Sequence, residues 1–248
     1  MYNNAMVDSS GNGDFVKPKE RSSEFANEHF YHLFNHGVED CLITRSQDDS
    51  DHFVLLLELL NTSLNIGSVS DVLKTIEPGD VNLLKSGLLR LAKNDETRLV
   101  KIVAYCLNPN HFHLILEQIR DGGITIFLHK LTMAYSKYIN ARHTRKGALF
   151  FGTFGRRLIE TDEYLLHASA YVNLNDRVHR IAPPLSNLVR TSWREYTEEG
   201  LGGICEKELV MENFDDMDDY KAYALSALAI MLEHKMDEQE LKQIGIDL

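Results

Sequence analysis

The sequence predicts an α+β fold, and two features carry that expectation. Leu99 to Leu107 and His111 to Glu117 are apolar runs of strand length separated only by Asn108-Pro109-Asn110, a spacing that joins them as an antiparallel hairpin. The flanking segments instead repeat their apolar residues every three or four positions, the period of amphipathic helices. With 248 residues, 44% of them apolar, the chain can bury one substantial core.

Residues 1–24 form a polar leader, rich in Asn, Ser, Gly, Asp and Lys and expected to be disordered. Phe30-Tyr31-His32-Leu33-Phe34-Asn35 has the aromatic and branched content of a strand, and His36-Gly37 ends it. Ser50 is placed to cap a helix whose stripe is Phe53, Leu56, Leu57 and Leu60. Residues 66–98 read as a helical insertion in two pieces, broken at Pro78-Gly79 and concerned with packing. After the hairpin, Ile124, Phe127, Leu128, Leu131, Tyr135 and Tyr138 mark a helix over 124–141. A short strand near 157–160 precedes a helix over 162–174, with Thr161 as its cap. Pro183-Pro184 and Trp193 make a connector, and Asp215, Asp216, Asp218 and Asp219 precede a helix running to about Lys235, a favourable end for carboxylates. The main domain is thus 25–195, followed by an acidic helical extension over 196–248.

Three cysteines with no C-x-x-C spacing indicate neither a disulfide framework nor a zinc knuckle, and point to a reducing, cytoplasmic setting. The polar leader has no apolar core of a signal peptide, and no stretch has the length of a membrane span, so no membrane partner is expected. A net charge of −11 argues at first against a polyanionic ligand. Its distribution reverses that: residues 130–195 carry 11 Lys/Arg against 5 Asp/Glu. Local field governs phosphate binding, so this block is compatible with nucleic acid, with a merely solvated helix face as the alternative. Lys137, Arg142, Arg145, Lys146, Arg156, Arg157, Arg177 and Arg180 are its candidate DNA contacts. Phe150, Phe151 and Phe154, interleaved with glycines and followed by Arg156 and Arg157, could stack on bases or pack in the core.

The chemistry centres on the hairpin. Side chains alternate along a strand, so His111 and His113 share one face, and their ring nitrogens, roughly 6–7 Å apart, can converge on a divalent ion. Two half-exposed histidines are the plainer reading of the same pattern. Tyr171 and Asn175 stand one helical turn apart and can project together. Histidine pair, basic block and helical tyrosine suggest metal-assisted attack of a phenol on a phosphodiester.

At these residues the chain resembles a known family. Pro109-Asn110-His111-Phe112-His113-Leu114 is similar to its P-N-H-x-H-L signature, and Tyr31-His32-Leu33-Phe34-Asn35-His36-Gly37 to its Y-H-x-x-N-R-G opening. Asn140-Ala141-Arg142-His143 with Gly147-Ala148-Leu149-Phe150 resembles N-x-x-H…G-x-L-[WF], and Tyr171-Val172-Asn173-Leu174-Asn175 resembles Y-I-x-L-N. The family is the single-tyrosine HUH transposases, in particular the REP-associated tyrosine transposases of bacteria. The resemblance implies an antiparallel sheet with helices packed on it, of the HUH, ferredoxin-like nuclease type. It implies Mg²⁺ or Mn²⁺ held by His111, His113 and Asn175, with Tyr171 as nucleophile. It further implies cleavage and rejoining of single-stranded or hairpin DNA through a 5′-phosphotyrosine, by a monomer or homodimer. The alternative from another class is a non-catalytic, domesticated regulatory protein that binds hairpin DNA with the same fold.

Overall fold

The structure, a computed structural model, describes residues 25–64 and 96–243, with side chains described through Lys235. The polar leader and nearly all of the 66–98 segment lie outside the described residues. In chain order the elements are β1 (Phe30–His36), α1 (Gln47–Leu59), β2 (Val100–Leu107), β3 (His111–Gln118), α2 (Gly123–Arg142), β4 (Gly155–Ile159) and α3 (Asp162–Asn173). There follow α4 (Asn175–Val178), β5 (Arg190–Thr191), α5 (Trp193–Thr197), α6 (Glu208–Met211) and α7 (Met217–Gln243).

The sheet order is β4-β1-β3-β2-β5, antiparallel throughout, with helices packed on both faces. The hairpin forms as its sequence requires: Asn108 N donates to His111 O at 2.8 Å, closing the Asn-Pro-Asn turn and setting Cys106 opposite His113. Leu33, Phe112, Leu114 and Leu116 face one way and pack with Phe53, Leu56, Phe127 and Leu131 of α1 and α2. Ala104, Cys106 and Ile115 face the other way, beneath Leu165, Ala168 and Val172 of α3 and Tyr220 and Ala224 of α7. Alternation along β3 therefore puts His111 and His113 on the α3 side.

Two local features differ from the sequence expectation. α1 is capped by Ser46, not Ser50: Ser46 Oγ accepts from Asp49 N at 3.2 Å while Asp49 Oδ2 accepts from Ser46 N at 3.1 Å. This reciprocal box starts the helix one turn earlier. Ser50 lies inside α1, where its hydroxyl donates to Leu188 O at 2.7 Å. The connector after Pro183-Pro184 contains β5, whose two residues pair with Cys106 and Leu107 and extend the sheet beside the hairpin turn.

The C-terminal extension shares its core with α3. Tyr220 is fully buried, and its hydroxyl accepts from Asn173 Nδ2 at 2.7 Å. Asn173 Oδ1 accepts in turn from Ser192 Oγ at 2.5 Å, and Ser192 Oγ accepts from Tyr105 N at 3.0 Å. These bonds fix the end of α3 to β2 and α7, two residues from Tyr171. No helix among the described residues is long and apolar enough to cross a membrane.

Candidate metal and tyrosine site

His111 is oriented by its neighbours before any ligand arrives. Asn108 Nδ2 lies 2.8 Å from His111 Nε2 and 2.7 Å from Asn175 Oδ1, so one amide group donates a hydrogen to each. Nε2 is therefore the lone-pair nitrogen, and Nδ1–H donates to Asn110 Oδ1 at 2.7 Å. Two acceptors, His111 Nε2 and Asn175 Oδ1, are left facing each other at 3.2 Å. The Nε2 lone pair is held by the Asn108 amide, so a cation binding between these two acceptors would displace that hydrogen bond.

His113 is held differently. Its Nδ1 lies 2.9 Å from Nε2 of buried His32, which stands diagonally across on β1. With His113 donating, its Nε2 lone pair is available on the other edge, the arrangement that orients a metal-binding imidazole from behind. One ring nitrogen each from His111, His113 and His179 lies within 4.8 Å of the other two. His179 was not singled out in the sequence. Positions 171, 175 and 179 do recur at four-residue spacing, but Leu174 breaks the helix between α3 and α4, and His179 caps α4.

Burial keeps these rings neutral. It drives His113 well below the ordinary histidine value, with nearby His32, His111 and His179 adding to the effect. His111 is lowered by burial, partly offset because the protonated ring would donate to the Asn175 side chain. His32 falls to about 4 through burial and then the Arg157 charge. Neutral imidazoles at pH 7 offer lone pairs, so the donor set fits a divalent ion of the kind that accepts nitrogen and oxygen together.

An acid sensitivity follows. Unfolded, His32 protonates near pH 6.5, whereas the folded chain resists until about pH 4. Between those values the unfolded state binds more protons, so stability falls as pH drops through the window and is fully present above it. For His32 the difference is on the order of 3 kcal/mol. Thermal unfolding in chelator should give a Tm that falls from pH 6.5 toward 4, and His32→Gln should make that fall shallower. An identical slope in the variant would remove His32 as its source.

Tyr171 completes the site from above. Its ring is edge-on to His113, with centroids 5.6 Å apart, and to His32 at 5.8 Å. Burial raises its pKa, while the Asn175 side chain and the Arg157 charge pull it back. Asn175 Nδ2 is buried and has no hydrogen-bond partner among the described residues. That donor is free to meet a phenolate.

The eight basic candidates separate. Along β4, Arg157 stands opposite His32 and lines a cavity with Tyr171, whereas Arg156 turns to the other face and lies 5.2 Å from the Phe25 ring. Arg142 is ion-paired with Asp48 at 2.7 Å and with buried Asp49 at 3.2 Å, on the α1 side of the sheet. Arg145 donates to Asn140 Oδ1 at 3.2 Å, and Arg177 lies 5.1 Å from the Trp193 ring. Lys137, Lys146 and Arg180 are exposed. Of the aromatics, Phe150 is buried in the α1–α2 core, while Phe151 is exposed and stacks on His36 at 5.0 Å.

The chain has partial likenesses among solved structures. One is a REP-associated tyrosine transposase bound to a REP hairpin, 13% identical, with a TM-score of 0.42 over 73% of this chain and 86% of that one. Another is a bacterial tRNA(His) guanylyltransferase (Thg1)-like protein in complex with ATP, 7% identical, with a TM-score of 0.31 over 72% of each chain. No family model and no curated protein matches. These likenesses are distant, and the functional reading rests on the residues of the site.

Proposed function

We propose that the chain is a divalent-metal-dependent endonuclease and strand transferase acting on single-stranded or hairpin DNA through a phosphotyrosine at Tyr171. The observation that supports this most is the contact of the Tyr171 ring with His113, one of three histidines whose ring nitrogens converge within 4.8 Å. Packed tyrosines usually keep the hydroxyl at a rim; Tyr171, half-buried, meets candidate metal ligands and an amide donor with no hydrogen-bond partner among the described residues.

His111 and His113, with Asn175 Oδ1 and His179 beside them, would hold Mg²⁺ or Mn²⁺. When bound, the ion supplies Lewis-acid polarisation of the scissile phosphate. The Tyr171 oxygen then forms a bond to phosphorus as the phosphorus–O3′ bond breaks, giving a 5′-phosphotyrosine and a free 3′-hydroxyl. The phenol proton leaves to solvent and the departing 3′-oxygen takes one up. Asn175 Nδ2 favours the phenolate by donating to it, which counters the burial that raises the phenol pKa. The phosphodiester's energy is kept in the new ester, so reversal by a 3′-hydroxyl rejoins the strand.

The test is a nicking assay on single strands that fold into hairpins, labelled at either end, with Mn²⁺ present. Label 3′ of the cut should migrate with the protein on denaturing gels, and label 5′ of the cut should be released with a 3′-hydroxyl. Binding without adduct or nicking, across hairpins that bind tightly, would leave the non-catalytic DNA-binding reading in its place.

A further inference from the structure

Two cavities meet at Tyr171, and Phe34, His113 and His179 form the rest of their shared wall. The second, 620 Å³, continues past Arg157 of β4 and Tyr164 of α3. The first, 530 Å³, runs the other way, past His111 to Asn110, His36 and Asp40, and its volume falls in the range of small-ligand sites. His36 stands directly opposite His111 in the β1–β3 pairing. It lies four residues beyond His32, so roughly 13 Å of strand separates this end of the cavity from the end at Tyr171.

Three groups converge at the His36 end. The His36 ring lies flat against exposed Phe151, with centroids 5.0 Å and planes 18° apart, and Phe151 N donates to His36 O at 2.8 Å. Backbone and ring contact together hold that aromatic pair. Asn110 Oδ1 already accepts from His111 Nδ1, which leaves the Asn110 amide hydrogens to donate elsewhere. Exposed Asp40 is brought to the cavity wall by the turn after β1. There Glu39 and Asp40 take left-handed φ of 53° and 55°, and an added Cβ on Gly37 would clash with Cys41 O. The Asp40 carboxylate is 3.4 Å from His36 Nδ1, but that nitrogen lies nearer Gly37 O, at 3.0 Å, so both carboxylate oxygens keep lone pairs for a ligand.

A stacked ring, an amide donor and a two-oxygen acceptor in one cavity suit an unpaired base. Of the four DNA bases, only guanine presents an acceptor beside two donors on its Watson–Crick edge, O6 next to N1–H and the 2-amino group. Cytosine and adenine offer a single donor group there, and thymine sets its one donor between two oxygens that a carboxylate repels. Taking Tyr171 as the nucleophile, attack and departure lie in line, so the departing 3′-oxygen leaves phosphorus on the side away from the phenol. With the phosphate at the histidines, the His36 end of the first cavity lies on that side. We propose that it seats the base immediately 5′ of the cut and selects guanine. O6 accepts from Asn110 Nδ2, N1–H and the 2-amino group donate to Asp40, and the purine stacks with the His36–Phe151 pair.

2′-Deoxyguanosine 3′-monophosphate is the minimal probe, its phosphate standing for the scissile group, and its deoxyinosine counterpart lacks only the 2-amino group. Calorimetric titration of the full chain with Mg²⁺ present should find the guanine probe bound about tenfold more tightly, the order expected of one hydrogen bond to a charged acceptor. Asp40→Gly, which suits the positive φ there, should erase that preference with an unchanged Tm. Equal affinity for the two probes in the unsubstituted chain, or a preference that survives Asp40→Gly, overturns the proposal. The readout is binding of a probe with no strand to cut. Absence of the guanine preference with Tyr171 adduct formation intact therefore removes the subsite alone. Absence of adduct formation with the preference intact removes the strand-transfer reading alone.

Discussion

Tyr171→Phe should form no covalent adduct with single-stranded DNA, with cleavage reduced on the order of 10⁴-fold or more, as for loss of other enzymatic nucleophiles. The substitution removes one oxygen and keeps the ring that packs edge-on against His113 and His32, so fold and DNA affinity should persist. The competing tyrosines are placed for other work. Tyr135 is fully buried on the opposite face and donates its hydroxyl to Ile43 O at 3.0 Å. Tyr138 stacks on His52 at 3.8 Å, also on the α1 side. Tyr164 lies in the first turn of α3, two turns before Tyr171, and lines only the second cavity. Tyr164→Phe should therefore still yield adduct. Denaturing gels with 3′-labelled strand decide between them: adduct that survives in Tyr171→Phe and vanishes in Tyr164→Phe would transfer the role to Tyr164.

What could be read in the sequence was what depends on near neighbours. Alternation fixed the face shared by His111 and His113, the Asn-Pro-Asn turn closed their hairpin, and Thr161 capped α3 by accepting from Tyr164 N at 3.1 Å. Less legible was whatever depends on distant partners. Ser46 and Ser50 are both able to cap, and Asp49 three residues after Ser46 decides between them. The basic segment looks like one patch in sequence, yet Arg142 is drawn to Asp48 and Asp49 on α1, nearly a hundred residues earlier. Nothing local to His32 shows its partner; pairing of β1 with β3 brings it to His113. β5 has two residues, too few for any period to register. His179 follows Asn175 by four residues, but its nearness to His111 depends on how α4 leaves α3 at Leu174 and meets the sheet.

Removal of the histidine pair should have an effect as large as loss of the tyrosine, but by a separable route. His111→Ala with His113→Ala should abolish Mn²⁺-dependent cleavage while much of the DNA affinity remains, because contacts to the strand's other phosphates lie away from these rings. Chelator should do the same to the unsubstituted chain, reversibly. A binding measurement independent of catalysis comes from stability. An ion that binds only the folded state stabilises by about 2.7 kcal/mol at a hundredfold excess over its Kd, which raises Tm by several degrees. The unsubstituted chain should show that rise with Mn²⁺ and the double variant should not. The single variants then divide the remaining coordination. Asn175 is buried with Oδ1 3.2 Å from His111 Nε2, whereas His179 is exposed on its outer side and has Lys235 Nζ 3.3 Å from its Nδ1. A buried, pre-aligned donor loses little freedom on binding, while a cation beside His179 opposes a second one. Asn175→Ala should therefore weaken the Mn²⁺-induced rise more than His179→Ala does. A rise of unchanged size in the His111→Ala, His113→Ala variant would place any bound metal elsewhere and leave Tyr171 without the assistance assigned to it.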